Sequence, residues 1–524
     1  MVETLKPEGY AWNISFIAII FTFDFQKRLP LEEVAENLIE RKERKNVEAV
    51  FIPWEEKEEK KGYPMLKLFD DKKEYKSFNN FLMIEKEWRK GQLDERYKLF
   101  IAAIGSEKIA LDEYYLKNKK FIRLKLPDVE IKFSSEPLSR LGWMIVEVHF
   151  LVHSTGIIIG TLYVRPKKAL NTYQIIEFER RIKKEEVEVK IGVDTQKTTL
   201  KKYLLDKLLE EGIIKRSQKC KHSRIRYVVS IKKHPLFLCE LRKHELYGIM
   251  SAMRAWYQLR EEVKLKEVYE VKHFHIFVGD VASLFISSDK FEEHIKINNK
   301  LFWKKSTRSH SGKYGFLYTL HEYFEHYLIT PVEFVSIVNG ISERYFSKVQ
   351  ELSEGSTEPA TFVVSELLES LQEYNNITFM EARPIWEVMK YGEKILEVPE
   401  KMEVVKSGIL TLMSLIQQET QNRLTIVFGF LSSVPIAWLV LEITKDRTFS
   451  TLVLLLVMMS IVVLVGIRAT LSIFITMLKQ LQSDFHSFYI WLCGNYRKIE
   501  GKLRKRILSS SLWRRIKMRF TKKF

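Results

Sequence analysis

Along this chain the arrangement of apolar and polar positions changes character twice. The first part carries short apolar segments broken by turn residues. Residues 11–25 (AWNISFIAIIFTFDF) end in an alternation of Phe21, Phe23 and Phe25 with Thr22 and Asp24, which reads as a buried strand; a membrane or targeting segment is the other reading. Val47–Ile52, Leu99–Ile104 and Val129–Phe133 read as strands. Trp143–Val152 and Ile157–Val164 flank Ser154-Thr155-Gly156 and predict a hairpin. Val187, Val189, Ile191 and Val193 alternate with charged or small residues, as in a half-buried strand. A helix is expected over Thr198–Glu211 and a strand over Arg224–Ile231. A long helical pattern opens at Pro235 and runs to about Leu265, and Val268–Val278 reads as a strand. After about Phe316 the pattern is helical. The expectation is a mixed α/β domain over residues 1–315, then a helical region over 316–398 with a linker at 353–360 (SEGSTEPA).

The second change comes at Ile395. Ile395, Val398, Met402, Val405, Ile409, Leu412 and Ile416 are spaced 3-4-3-4-3-4, a heptad seam. Pro399 sets the start of a continuous stalk helix, 399–423. The same seam continues through Ile426, Phe430, Ser433, Ala437 and Val440. It calls for a partner: other copies of the chain, or the chain's own domain. Leu424–Leu441 has 18 residues without charge and Phe449–Ile467 has 19. At 1.5 Å per residue each spans about 27 Å, close to a hydrocarbon core. Two transmembrane helices, 424–443 and 449–475, follow from this. Arg468 either lies within the inner half of the second span or marks its end and snorkels to the headgroups.

Charge orients the hairpin. The formal net charge is +18. Arg497–Phe524 holds twelve Lys/Arg and one acidic residue, hence +11, whereas Lys445, Asp446 and Arg447 leave the loop between the runs almost neutral. Basic excess marks the cytoplasmic side. Both termini are therefore expected in the cytoplasm, with a basic tail over 476–524 against anionic lipid headgroups. The protein is expected in the inner or plasma membrane. Because the basic excess lies mainly in the tail, the composition points to a local partner for the tail more than to a nucleic-acid-binding body. Cys220, Cys239 and Cys493 have no CxxC spacing, so neither a disulfide framework nor a cysteine-based zinc site is expected.

A large α/β domain, a long helix running into the first of two C-terminal spans, a very short outer loop and a basic C-terminus together resemble the CorA-like divalent-metal-ion transporters. The resemblance covers about residues 395–478. It implies a homo-oligomer, a pentamer in that family, with the stalk and first span lining a pore and a divalent cation as cargo. The implied pore-lining residues are Ile426, Phe430, Ser433, Ala437 and Val440. The family's Gly-Met-Asn signature has no counterpart, since its place reads Leu441-Glu442-Ile443-Thr444, so magnesium selectivity does not carry over. Divergent relatives of this kind serve as membrane effectors in prokaryotic defence, where the cytoplasmic domain senses a nucleotide signal.

Few residues suggest chemistry. In LHEYFEHYL, His321 and His326 are five apart, about 140° around a helix, so HExxH zinc geometry is absent. The pairs His321/Glu325 and Glu322/His326 read as polar pairs on a solvated helix. His273 and His275 share a strand face without an assignable third ligand. The loop Lys304–Gly315 (KKSTRSHSGKYG) lacks P-loop spacing, but Lys304, Lys305, Arg308 and Lys313 make it the best site for an anionic or nucleotide ligand. No nucleophile elbow, acid–base pair or dinucleotide fingerprint occurs, no cofactor is identified, and no enzyme activity is expected. The sequence leads to an oligomeric membrane protein whose cytoplasmic domain controls an ion pathway. The alternative is a sensor or effector for which the hairpin is an anchor.

Overall fold

The computed structural model describes residues 8–40, 47–53, 65–69, 73–75, 97–110, 120–218, 220, 222–236, 238–259, 265, 267–271, 273–291, 293–295, 297, 325–353, 368, 383–444, 448–449 and 451–456. The chain divides into two units, Met1–Ile409 and Leu410–Phe524.

The first unit is a mixed α/β domain. Its strands in chain order are β1 (Ala11–Trp12), β2 (Ile14–Asp24), β3 (Ala49–Ile52), β4 (Met65–Leu68), β5 (Lys73–Tyr75), β6 (Phe121–Phe133), β7 (Met144–His153) and β8 (Ile157–Arg165). There follow β9 (Leu170–Asn171), β10 (Val187–Ile191), β11 (Asp194–Thr198), β12 (His222–Ile231), β13 (Glu267–Val271), β14 (Phe274–Val278) and β15 (Ala282–Ser287). Thirteen of them form one sheet, in the order β13-β14-β15-β12-β2-β8-β7-β6-β3-β4-β5. The hairpin of β10 and β11 joins the far end of the same β6 edge that β3 uses. Only β12 and β15 run parallel among the described pairs.

The helices are α1 (Leu31–Glu40), α2 (Lys98–Ala110), α3 (Thr172–Arg181), α4 (Leu200–Glu210), α5 (Lys243–Met250), α6 (Thr330–Ser353), α7 (Arg383–Ile395) and α8 (Val398–Thr444). A π-helical turn, Glu325–Ile329, runs into α6. Pro331 has no N–H to give back to the preceding turn, which is a sequence cause for the altered ladder there.

The segment around residues 11–25 is a buried strand, as its pattern predicts. β2 lies between β12 and β8 and is covered on both faces, which explains its nearly continuous apolar run. Ile17, Ile19, Phe21 and Phe23 enter the main core with Ile122, Leu124, Val148, Phe150 and Leu162. The predicted hairpin is β7–β8. At its turn Gly156 has φ +83°, and a Cβ there would lie 1.9 Å from the Lys27 carbonyl oxygen, so only glycine fits. Asn171 caps α3 by accepting from the Gln174 N–H at 2.8 Å, while the Gln174 side chain accepts from the Asn171 N–H at 3.0 Å.

Three local expectations change. Leu99–Ile104 is helical, part of α2, whose residues Leu99–Ile104 are all buried. A helix buried all round shows no 3.6-residue period, and its short apolar run then resembles a strand. The pattern from Pro235 to Leu265 resolves into a single turn at Leu238–Leu241, α5, and a 3-10 turn at Trp256–Gln258. Val268–Val278 is a hairpin of β13 and β14 and not one strand.

The stalk helix exists as the first part of α8, 47 residues long with Pro435 inside it. Its seam begins buried: Val398, Met402, Val405 and Ile409 are almost fully covered. The cover comes at least partly from α6. Lys401 Nζ donates to Asn339 Oδ1 at 3.1 Å and to Glu343 at 3.3 Å, and Gly408 abuts Val349. For these four positions the seam's partner is the chain's own domain, not another copy. Among the described residues no helix is long and apolar enough to cross a membrane. The run 424–441 lies in α8, where the side chains of 425–427, 429–434 and 437 are outside the described set, as are residues 457–467 of the second run and the tail.

Candidate functional site

Strand alternation on β6, β7 and β8 sends Ile122, Leu124, Val148 and Leu162 into the main core and their neighbours to the other face. Those neighbours are Arg123, Lys125, Glu147, His149, Thr161, Tyr163 and Arg165. Register sets them side by side: Lys125 opposite His149, His149 opposite Thr161, and Glu147 opposite Tyr163. Alternation of this kind normally means a solvated face. Here α6 packs on β8 and β2, and α2 packs on the π-turn and α6. Arg123, Lys125, His149 and Tyr163 are all at 0% exposure.

The centre of the site is Arg123. Its Nε donates to Glu107 Oε1 on α2 at 2.5 Å, and its Nη2 donates to Glu333 Oε2 on α6 at 2.5 Å. The Thr161 hydroxyl donates to the other oxygen of Glu333. Glu325, on the π-turn, faces the Tyr163 hydroxyl, yet neither of its oxygens reaches a hydrogen bond of good geometry. One guanidinium thus meets three carboxylates, all fully buried. Burial pushes Glu107 up to about 7 against the pull of Arg123. Burial, with the charge of Glu333 added, holds Glu325 well above the carboxylate range despite the Tyr163 and Arg123 contacts. Burial opposes the Arg123 charge, but Glu107 and Glu333 outweigh it and hold its pKa well above the usual value. Tyr163 is raised by burial and then by Glu325 and Glu333.

A second group adjoins it. Lys125 Nζ donates to Glu48 and Asp128, each at 2.7 Å. Glu147 pairs with Arg165, and burial pushes it up to about 7. His149 lies edge-on to Tyr163 and Phe100, with ring centroids 4.9 and 5.7 Å away, and neither ring nitrogen finds a hydrogen-bond partner among the described residues. Burial first, then Lys125, Arg123 and Arg165, holds it neutral. Farther along α6, Arg344 grips Asp24 of β2 at 3.1 and 3.2 Å and the Thr155 carbonyl at 2.7 Å.

The side chains of Arg123, Glu107, Glu325 and Glu333 are fully buried, and among the described residues no cavity opens onto them. The arrangement can hold protons, and it ties α2, the π-turn and α6 to the sheet. Among the described residues no cluster has the make-up of a metal site. A separate cavity of about 280 Å³ is lined by Tyr247, Met250, Val278, Asp280, Tyr391 and Ile395.

The sequence expectations map unevenly onto this. Lys304, Lys305, Arg308 and Lys313 lie outside the described residues. Ile426, Phe430, Ser433 and Ala437 are helical in α8 with side chains outside the described set, and Val440 is half-buried. Glu325 is not on a solvated helix face: it is at 0% exposure beneath α2 and the sheet, and its ordinary look in LHEYFEHYL gave no sign of this. His273 lies against His294, with ring centroids 4.4 Å apart and planes tilted by 40°. Arg123, Glu107 and Glu333 escaped notice because each comes from a different part of the chain. The one available signal was the basic pair Arg123 and Lys125 inside an otherwise apolar strand (FIRLKL).

No family model, curated protein or solved structure matches the chain.

Proposed function

We propose that the chain is an oligomeric membrane protein whose α/β domain controls a small ion pathway of CorA-like layout, formed by the C-terminal hairpin. The observation that carries this is α8. One helix of 47 residues begins with side chains buried against α6 and continues into the uncharged run 424–441. A helix continuous between a domain and a membrane segment offers a route for passing a tilt or rotation from one to the other. Ile426, Phe430, Ala437 and Val440 form an apolar stripe with Ser433 as its hydroxyl, a path that closes by dewetting at rest. Opening then requires an input from the domain that favours one arrangement of α8. The basic loop with Lys304, Lys305, Arg308 and Lys313 remains the proposed entry for a small anionic or nucleotide ligand, a divalent cation the proposed cargo, and anionic headgroups the partner of the tail.

The burial of Val398, Met402, Val405 and Ile409 by the chain itself favours a second reading. With half the seam already covered, the hairpin is an anchor for a membrane-tethered sensor or effector. Reconstitution of the full chain in vesicles separates the two. Phe430→Ser wets the stripe and is expected to leak ions without any ligand, while the wild-type chain stays tight. Phe430→Ser that inserts and assembles normally but conducts nothing would leave the anchor.

A further inference from the structure

We infer that the cluster around Arg123 is a proton-binding site: Glu325 and Glu107 carry protons in the closed domain, and their loss releases the π-turn and the start of α6 from the sheet. The inference concerns the domain alone and holds whether or not the hairpin conducts.

The charge count leads to it. Ionised, Glu107, Glu325 and Glu333 would place three negative charges around one guanidinium in a space closed to water. An uncompensated buried charge costs several kcal/mol, and a carboxyl avoids that cost by keeping its proton. Glu333 has its compensation, since it takes Arg123 and the Thr161 hydroxyl. Glu107 shares the same guanidinium through one oxygen and leaves Oε2 unbonded. Among the described residues Glu325 has neither oxygen in a hydrogen bond of good geometry, although it is at 0% exposure. Among the described residues Glu107 Oε2, both oxygens of Glu325 and the Tyr163 hydroxyl are buried without a hydrogen bond of good geometry, as protonated carboxyls whose hydrogens are unseen would be. Burial raises both groups, with Glu107 near 7, which places one release in the neutral range.

The surroundings decide what moves. The sheet supplies Arg123, Tyr163, Thr161 and the neutral His149; Lys125 and Glu147 lie farther along it. From α2 comes Glu107, and from the π-turn and α6 come Glu325 and Glu333. α7 also packs on the π-turn and brings Glu393, itself raised by burial, with Lys390 beside it. None of the described groups beyond Arg123 offers a cation within the cluster. Release therefore breaks the O–H bond, sends the proton to water and leaves the electron pair on a carboxylate that repels Glu333. The far half of α6 stays tied through Arg344 to Asp24 and the Thr155 carbonyl. A helix freed at one end and fixed at the other pivots, and Lys401 links its Asn339 and Glu343 to α8.

The sign is fixed by linkage. A carboxyl whose folded pKa lies above its unfolded value of about 4.5 stabilises the closed form fully below that value and loses the contribution as pH rises through the folded pKa. Opening therefore increases on the alkaline side, by up to about tenfold per pH unit for each proton released. Hydrogen exchange of the full-length chain in detergent, corrected for the intrinsic pH dependence of exchange, reads this directly at 330–345. Protection is expected to fall as pH rises from about 4.5 through about 7, where Glu107 gives up its proton, and to go on falling on the alkaline side as Glu325 does. Glu107→Gln with Glu325→Gln, neutral at every pH, is expected to stay protected and lose the slope. An unchanged slope in that double variant, or no slope in the wild type, overturns the inference. So does protection that follows added potassium or magnesium and ignores pH, which would make the site a cation site. If the double variant does not fold, infrared spectra of the unaltered chain decide. A band of buried protonated carboxyl near neutral pH, bleaching on the alkaline side with the loss of protection, is expected; its absence ends the proposal.

Discussion

Arg123 brings one positive charge into a space that holds three carboxylates, so its removal differs from the loss of an ordinary ion pair. Arg123→Met leaves Glu107 and Glu333 without their donor and is expected to cost about 3–5 kcal/mol of stability in denaturant unfolding. Adding Glu333→Gln to it removes the stranded charge, since Glu107 keeps its proton, and is expected to recover most of that loss. If Arg123→Met costs no more than a surface substitution, the cluster is not holding the sheet to α2 and α6. His149 makes the opposite case. Its two ring nitrogens are buried without a hydrogen bond among the described residues, Nε2 lying 3.8 Å from Glu147, so His149→Leu, close to it in bulk, is expected to be neutral or mildly stabilising at neutral pH. Because burial holds the imidazole well below its ordinary pKa, the unfolded chain takes up the proton first, and the wild-type protein loses stability as pH falls below about 6.5. The gain from His149→Leu should therefore grow in acid, and a melting-temperature difference that is flat between about pH 5 and about pH 8 would contradict it. The basic residues of FIRLKL were visible in the sequence as exceptions within a strand. That their face is covered was not, because the covering residues lie on α2, the π-turn and α6.

At the scale of elements, what was legible followed from local period. β2, the β7–β8 hairpin, β10, α4 and β12 each announce themselves by alternation, by a turn triplet or by a helical repeat. α2 was illegible because burial on all sides erases its period, and β15 because nothing in Ala282–Ser287 separates it from the preceding loop except its apolar content. The heptad seam shows how a correct pattern leaves its partner open. Its spacing specified a buried stripe on α8; the stripe is buried at Val398, Met402, Val405 and Ile409, and α6 supplies cover that the spacing could not name. Gly408 tests this contact. A Cβ there would sit 2.5 Å from Val349 Cγ1, so the helices approach closely because the position has no side chain. Gly408→Val is expected to overpack the contact at a cost of about 1–3 kcal/mol and to speed hydrogen exchange in 340–350 and 400–410 together. Val349→Ala in the same chain makes room and should restore much of the loss. Faster exchange in α8 alone would mean that α6 is not its partner.

For the whole molecule, charge distribution decides how the chain would sit across a bilayer. The last 28 residues, Arg497–Phe524, carry +11 of the net +18, and the seven residues between the apolar runs carry almost none. Each basic residue near an anionic inner leaflet contributes about 1 kcal/mol, so drawing the tail across the membrane would forfeit that attraction and oppose the potential as well. The short connection then leaves no freedom: if the tail is inside, the α/β domain is inside and Glu442–Thr448 faces outward. Asp446→Cys is expected to react with a membrane-impermeant thiol reagent in intact cells, and Ser509→Cys only after permeabilisation. Both are made in a chain whose Cys220, Cys239 and Cys493 are replaced by serine, so that each signal has one source. Labelling of Ser509→Cys from outside would reverse the orientation. If both sites are protected in intact cells, and the chain washes from membranes at high pH, the two apolar runs are not spans and the conducting and anchoring readings fall together. Protection of Ser509→Cys with exposure of Asp446→Cys would leave both standing, and the Phe430→Ser flux measurement would then choose between them.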